Sequence, residues 1–286
     1  MTNAKDLVSR SVELFSLPDI YLRLKDVLDN PDSSIVDMVA VIRQDPAMTA
    51  RLLRMVNSAF FGQASNIDTV DRAVNLLGTQ QIHDLALSTT VTEVFGNSSN
   101  RVISMEKYWH ASVRCGVTSR LIAYQCNILD SERLFVAGLL QDIGHLVMYT
   151  ILPDEMIDIL QEAEIKDKTL VSLEREKLGF DYAEVGAEMM HSWNFPDSLI
   201  EITSCHLEPN KADLFQLETA IVNIARHLEP VMAQSQTLEQ AMKKIHPDAL
   251  RLTSLDQGAL DQICSESLQK TTQAIDLLFP KARAVS

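Results

Sequence analysis

No stretch of this chain alternates apolar and polar side chains long enough, between turn signals, to make a strand; apolar residues instead return every three or four positions almost throughout. That period belongs to helices with one buried face. An all-α fold is therefore expected. With 286 residues, 46% of them apolar, the chain can bury a sizeable core in one large domain or two smaller ones.

The helix punctuation is specific in places. Ile20, Leu24, Val27 and Leu28 share a face ahead of the breaker Asn30-Pro31-Asp32-Ser33. Asp45-Pro46 is a start signal, a capping carboxylate followed by a proline where the missing N–H does no harm. The stripe Met48, Leu52, Met55, Val56 then runs into Asn57-Ser-Ala-Phe60-Phe61-Gly62. Two aromatics and a glycine there predict a packed corner, with the Asn57 amide either closing the helix or facing a partner. Gly78 is placed to end the helix that contains Val70, Val74 and Leu77.

Gly96-Asn-Ser-Ser-Asn100 is the clearest turn-rich break. It divides the chain into an N-terminal helical part, residues 1–95, and a second part, residues 101–286, which should share an interface because the link is short. In the second part His110, Val113, Val117, Leu121 and Tyr124 fall on one stripe, which predicts an inward His110. Val136 to Leu146 is an apolar run that delivers one polar pair, Gln141-Asp142. Asp181 caps a helix in which Gly186 should let a neighbour approach closely, and His206 lies on the face of Leu199, Ile202 and Thr203. Residues 231–253 are the least regular, and Ser254-Leu-Asp-Gln257 reads as the capping box of a last helix.

Composition excludes some classes. A net charge of −14 gives no overall field for a phosphate backbone or an anionic membrane, so neither nucleic acid nor membrane is an expected partner. The polar start Met1-Thr-Asn-Ala-Lys-Asp6 is unlike a signal peptide, and no uncharged apolar run approaches the roughly 18 to 20 residues of a membrane span. A cytoplasmic protein is expected. Cys115, Cys126, Cys205 and Cys264 form no CxxC pair and read as reduced thiols. No glycine-rich phosphate loop follows a strand, and no Ser-His-Asp or Cys-His set has supporting context. Glu174-Arg-Glu-Lys177 reads as a solvated face, His145 equally as a solvent or helix-end contact or as a phosphate contact, and Trp109 and Trp193 as neighbours of a pocket mouth.

The segment from Gln44-Asp-Pro through Asn57-Ser-Ala-Phe-Phe-Gly62 to Leu76-Leu-Gly78 resembles the N-terminal half of HDOD proteins, a regulatory branch of the HD phosphohydrolase superfamily, and the likeness runs from about Leu17 to the end. The resemblance implies an N-terminal helical bundle packed on an HD-like helical bundle. It also implies that His110 and Asp142 stand where HD enzymes hold a metal, with Gln141 replacing the doublet histidine. Gly179-Phe-Asp-Tyr-Ala-Glu-Val-Gly186 resembles the family's Gly-x-x-His-Ala-Glu-Val-Gly, with Tyr182 for the histidine. Cys205-His206 stands for a His-His pair, and Arg226 for the last metal aspartate. A guanidinium in a dication's seat costs several kcal/mol in a dry site, so an Arg226–Asp142 ion pair is expected to replace the metal.

These substitutions imply a noncatalytic module with no metal and no cofactor, and the resemblance to HDOD proteins implies a regulatory role in bacterial signal transduction. The module would act through signalling proteins, or through a nucleotide held among His110, Gln141, Asp142, Tyr182, Cys205, His206 and Arg226. Asn57, Phe60 and Phe61 are the expected interaction surface. The competing expectation is a metal-dependent phosphodiesterase or phosphohydrolase with a reduced metal site.

Overall fold

The computed structural model describes residues 3–11, 14–58, 67–96, 100–166 and 168–279, among which there is no strand. The first part contains α1 (Ala4–Ser11), α2 (Asp19–Asp29), α3 (Ile35–Arg43), α4 (Pro46–Val56), α5 (Val70–Leu77) and α6 (Thr79–Gly96). The second contains α7 (Met105–Gln125), α8 (Ser131–Leu140), α9 (Ile143–Ile151), α10 (Pro153–Lys166), α11 (Leu170–Leu178), α12 (Tyr182–Ser192) and α13 (Asp197–Cys205). It continues through α14 (Gln216–Met232), the short α15 (Leu238–Met242) and α16 (Pro247–Thr253), and α17 (Gln257–Leu278).

Local signals explain many of the boundaries. The Asp45 carboxylate accepts from the backbone N–H of Ala47 and Met48, at 2.8 and 3.0 Å, and Pro46 opens α4. Gly78 stops α5 at φ 85°, its N–H donating to the Val74 carbonyl. Asn57 closes the end of α4: its Nδ2 donates to the carbonyls of Leu53 and Ile67, and its Oδ1 accepts from the Ile67 N–H. The amide on the expected interaction surface is thus committed to the chain's own backbone; Phe60 and Phe61 lie outside the described residues. One cap differs from expectation and another start has no side-chain cap. The cap of α17 is Asp256, Ser254 being the left-handed residue that follows α16, while Asp130 at the start of α8 accepts no backbone bond and pairs with Arg133.

One buried apolar core runs through both parts. Helix α1 packs on α9 and α12, α6 on α8, and α4 on α17, so the two parts share extensive contact surface. The Trp193 indole donates to the Phe15 carbonyl at 3.0 Å and its ring meets Phe95 and Phe195. Trp109 packs on Tyr108 and Phe279. Both tryptophans therefore brace helix contacts and neither lines the principal cleft.

No uncharged apolar run of membrane length is expected, and the one stretch of that length found among the described residues is interrupted by charges. Ser131–Ile151 is long and apolar enough by length and composition to cross a membrane, although it contains Glu132, Arg133, Asp142 and His145, but 83% of the apolar stretch is buried inside the protein. The run is apolar because α8 and α9 are surrounded by other helices. Its break at Gln141-Asp142 is where the core meets the cleft.

The close approach of α9 to α12 depends on missing side chains. A Cβ on Gly144 would fall on the Tyr182 carbonyl oxygen and lie 2.6 Å from the Gly186 nitrogen. Gly186, read from the sequence as a contact point, faces the Gly144 backbone in return. This contact sets the spacing of the side chains that α9 and α12 bring to the cleft.

Candidate functional site

Five chain segments converge on a cleft of about 640 Å³: the first half of α7, the α8–α9 junction, the Thr169 cap of α11, the start of α12, and the second half of α14 with the segment after it. The apolar run through α8 ends where Gln141 and Asp142 turn the chain into α9, so these two polar side chains reach the cleft from a buried support.

Asp142 does not pair with Arg226. Its Oδ1 lies 2.5 Å from His145 Nδ1, and the other ring nitrogen of His145 lies 2.7 Å from Glu174 Oε1. Carboxylates only accept here, so both imidazole nitrogens donate and the ring is a cation. Burial pulls the His145 pKa down, but the charge and hydrogen bond of Asp142, followed by those of Glu174, overcome it and raise the value to about 10. The imidazolium is sandwiched between Tyr182, with ring centroids 4.0 Å apart, and Tyr149, at 5.2 Å. Glu174 is fully buried, and its second oxygen accepts the Tyr182 backbone N–H at 3.1 Å.

Beneath the floor a second histidine is equally occupied. His206 Nδ1 is 2.7 Å from the Thr203 carbonyl and must donate to it, so Nε2 accepts from the Tyr182 hydroxyl at 2.8 Å. Burial, with Arg226 adding to it, lowers the His206 pKa to about 3 and keeps the ring neutral. Asn223 ties this layer to its surroundings, donating to the His206 carbonyl and accepting from the His246 N–H.

The remaining expected site residues divide. Gln141, Asp142, Tyr182 and Arg226 line the cleft, and His206 supports it through Tyr182. His110 is half-buried and Ala111, one residue on, takes the cleft-facing position beside Ser112 and Cys115. A single position rotates a side chain by about 100° on a helix, which explains the error, as does Tyr124 at the far end of the same predicted stripe, half exposed. Cys205 is partly exposed at the end of α13, with its sulfur beside the Ser204 hydroxyl, away from the cleft. Arg226 lies over the Tyr182 ring at 5.8 Å, and among the described residues it has no carboxylate in ion-pair contact.

Sequence reasoning missed several groups. Glu174 sits in the charge run read as solvated, yet its i−4 and i−1 neighbours, Leu170 and Leu173, place it on the apolar face of α11, and that spacing was the available signal. His145, His227 and Lys244 were not assigned to the site either. His227 is kept neutral, its pKa lowered to about 3 by burial and then by the neighbouring Arg226 and Lys244. Glu229 at the rim is paired with Arg114, Nε to Oε1 at 2.8 Å.

These residues do not fit a divalent metal. A water-activating centre needs several side chains converging on one point with lone pairs free. His145 and His206 have both nitrogens engaged, Asp142 shares its charge with His145, and Ala111, Gln141 and Arg226 offer a methyl, an amide and a cation.

A sequence profile of the HDOD domain matches residues 14–209, well over half the chain. An uncharacterized protein of Treponema pallidum (strain Nichols) is 27% identical over 210 residues, 71% of this chain and 39% of that protein, so the chain spans about two-fifths of the relative's length. Among solved structures, an HDOD domain protein with unknown function from Geobacter sulfurreducens superposes with a TM-score of 0.76 at 20% identity, covering 96% of this chain and 98% of the other. A Shewanella amazonensis SB2B protein that carries a phosphohydrolase name gives 0.74 at 22%, covering 95% and 98%. A Marinobacter aquaeolei VT8 protein that carries a signal-transduction name gives 0.68 at 18%, covering 94% and 60%. At these identities the structures establish a shared fold. The fold likeness extends beyond residue 209, where the sequence match stops.

Proposed function

Because the chain belongs to the HDOD family, we propose that it is a regulatory module of bacterial signal transduction that works in the cytoplasm by contact with signalling proteins and by holding a ligand in the cleft, without hydrolysing it. One observation carries this reading. The groups best suited to metal or acid–base chemistry, Asp142, His145, Glu174 and His206, are bonded to one another or to their own scaffold, as a load-sharing network rather than a reactive set. Fold alone would not decide it, since one architecture serves holding and hydrolysis alike.

Turnover tests the reading. The purified chain with added Mn²⁺ is expected to release p-nitrophenol from p-nitrophenyl phosphate and from bis-p-nitrophenyl phosphate no faster than buffer containing the same metal. Metal-dependent release that disappears in Asp142→Asn would replace the reading with that of a hydrolase with a reduced metal site.

A further inference from the structure

The cleft carries unmet hydrogen-bonding capacity of a particular kind. Gln141 is 7% exposed and its Oε1 has no hydrogen-bond partner, and the same holds for the buried Oε1 of Gln236 across the cleft. Buried acceptors left in this state each cost free energy that a donor from a ligand would recover.

The charges have an equally definite sign. Arg226 and Lys244 both line the cleft, and among the described residues neither is in ion-pair contact with a carboxylate. The neighbouring carboxylates are already matched, Asp142 and Glu174 sharing the His145 cation and Glu229 sharing Arg114. With Arg114 and Glu174 counted as the partners of lining residues, four cations stand against three carboxylates, a local positive site on a chain whose net charge is −14. A planar guanidinium and a mobile ammonium around one space suit the tetrahedral, multiply charged oxygen set of a phosphate. The volume of about 640 Å³ is in the range that encloses a small metabolite.

The geometry points to a phosphate monoester as the ligand, its phosphate held by Arg226 and Lys244 and its hydroxyl or amino groups donating to the amide oxygens of Gln141 and Gln236. A nucleotide and a sugar phosphate share this chemistry. The assignment rests on the holding role proposed above, and it names what is held.

Calorimetry on the full chain with adenosine 5′-monophosphate, glucose 6-phosphate, adenosine and inorganic phosphate separates the contributions. At least one ester is expected to bind with Kd below about 1 mM and at least about tenfold more tightly than both adenosine and inorganic phosphate. Arg226→Met should weaken that ester about tenfold or more, and Lys244→Met, at an exposed position that folding does not need, about threefold or more. Should Arg226→Met fail to fold, Lys244→Met decides. Absence of binding by both esters, adenosine matching its monophosphate, inorganic phosphate matching the esters, or an unchanged affinity in Lys244→Met would overturn the assignment. Absent binding with absent turnover removes this ligand and leaves the regulatory reading, whereas turnover of a bound ester removes the noncatalytic reading and keeps the binding site.

Discussion

Gly144→Ala is expected to destabilise the protein by about 3 kcal/mol or more, enough to lower the thermal midpoint by roughly 10 °C. The added methyl would meet the Tyr182 carbonyl and the Gly186 nitrogen, both backbone atoms of α12 that no rotamer change can clear. Helix α9 would have to back away from α12, carrying His145 off the Tyr182 ring and away from Glu174, so the loss of packing and the loss of the buried charge network would come together. Gly258→Ala is the matched control. That glycine is exposed in the first turn of α17, with the nearest side-chain atom 3.4 Å from the new Cβ, and alanine there should be neutral or stabilising by up to about 1 kcal/mol. Thermal unfolding of the two variants side by side checks the claim; equal midpoints would mean that α9 and α12 are not in van der Waals contact through their backbones.

Stability should also depend on pH in a way that His145 dominates on the alkaline side. Its folded pKa of about 10 lies above the ordinary histidine value of 6.5, so the folded state binds the proton more tightly than the unfolded chain. The stabilisation is fully present below pH 6.5 and is lost as pH rises through about 10. His206 has the opposite sign. Its folded pKa of about 3 means that the unfolded chain takes up the proton first, so its contribution is present above pH 6.5 and disappears as pH falls toward 3. Between them these two groups set a maximum near pH 6.5. For His145 the shift corresponds to several kcal/mol, since each pKa unit is about 1.4 kcal/mol. Comparing urea unfolding of the protein and of His145→Gln from pH 6.5 to pH 10 isolates the effect: the stability difference should be largest at pH 6.5 and shrink steadily as pH rises. A difference that stays constant across the range would show that His145 is not a cation in the folded protein.

How far the sequence revealed this site depends on which of its features are local. Helix class and several ends were legible because a 3.6-residue period, an Asp-Pro start and a Gly78 stop are properties of neighbouring residues. The delivery of Gln141 and Asp142 by an apolar run was legible for the same reason. The partner of Asp142 was not. Arg226 and His145 were both candidates by charge, and only packing through Gly144 and Gly186 places His145 between Asp142 and Glu174, the latter 29 residues away. The His110 position failed by one residue of helix phase. Lys244 follows α15 in the least periodic part of the chain, where the short helices α15 and α16 leave too few turns for a stripe to show. The Asp142–His145 contact spans only three residues and lay within reach of a helical spacing rule, whereas the His145–Glu174 contact crosses 29 residues, for which a single chain carries no such rule.

The nitrogen NMR spectrum of the His145 ring at pH 8, recorded with and without Mn²⁺, tests most directly whether Asp142 serves a histidine or a metal. Both ring nitrogens should be protonated at that pH, and the signals should be unaltered by the metal, because the imidazolium holds Asp142 on one side and Glu174 on the other. A neutral ring at pH 8, or His145 signals broadened away by Mn²⁺, would contradict the account.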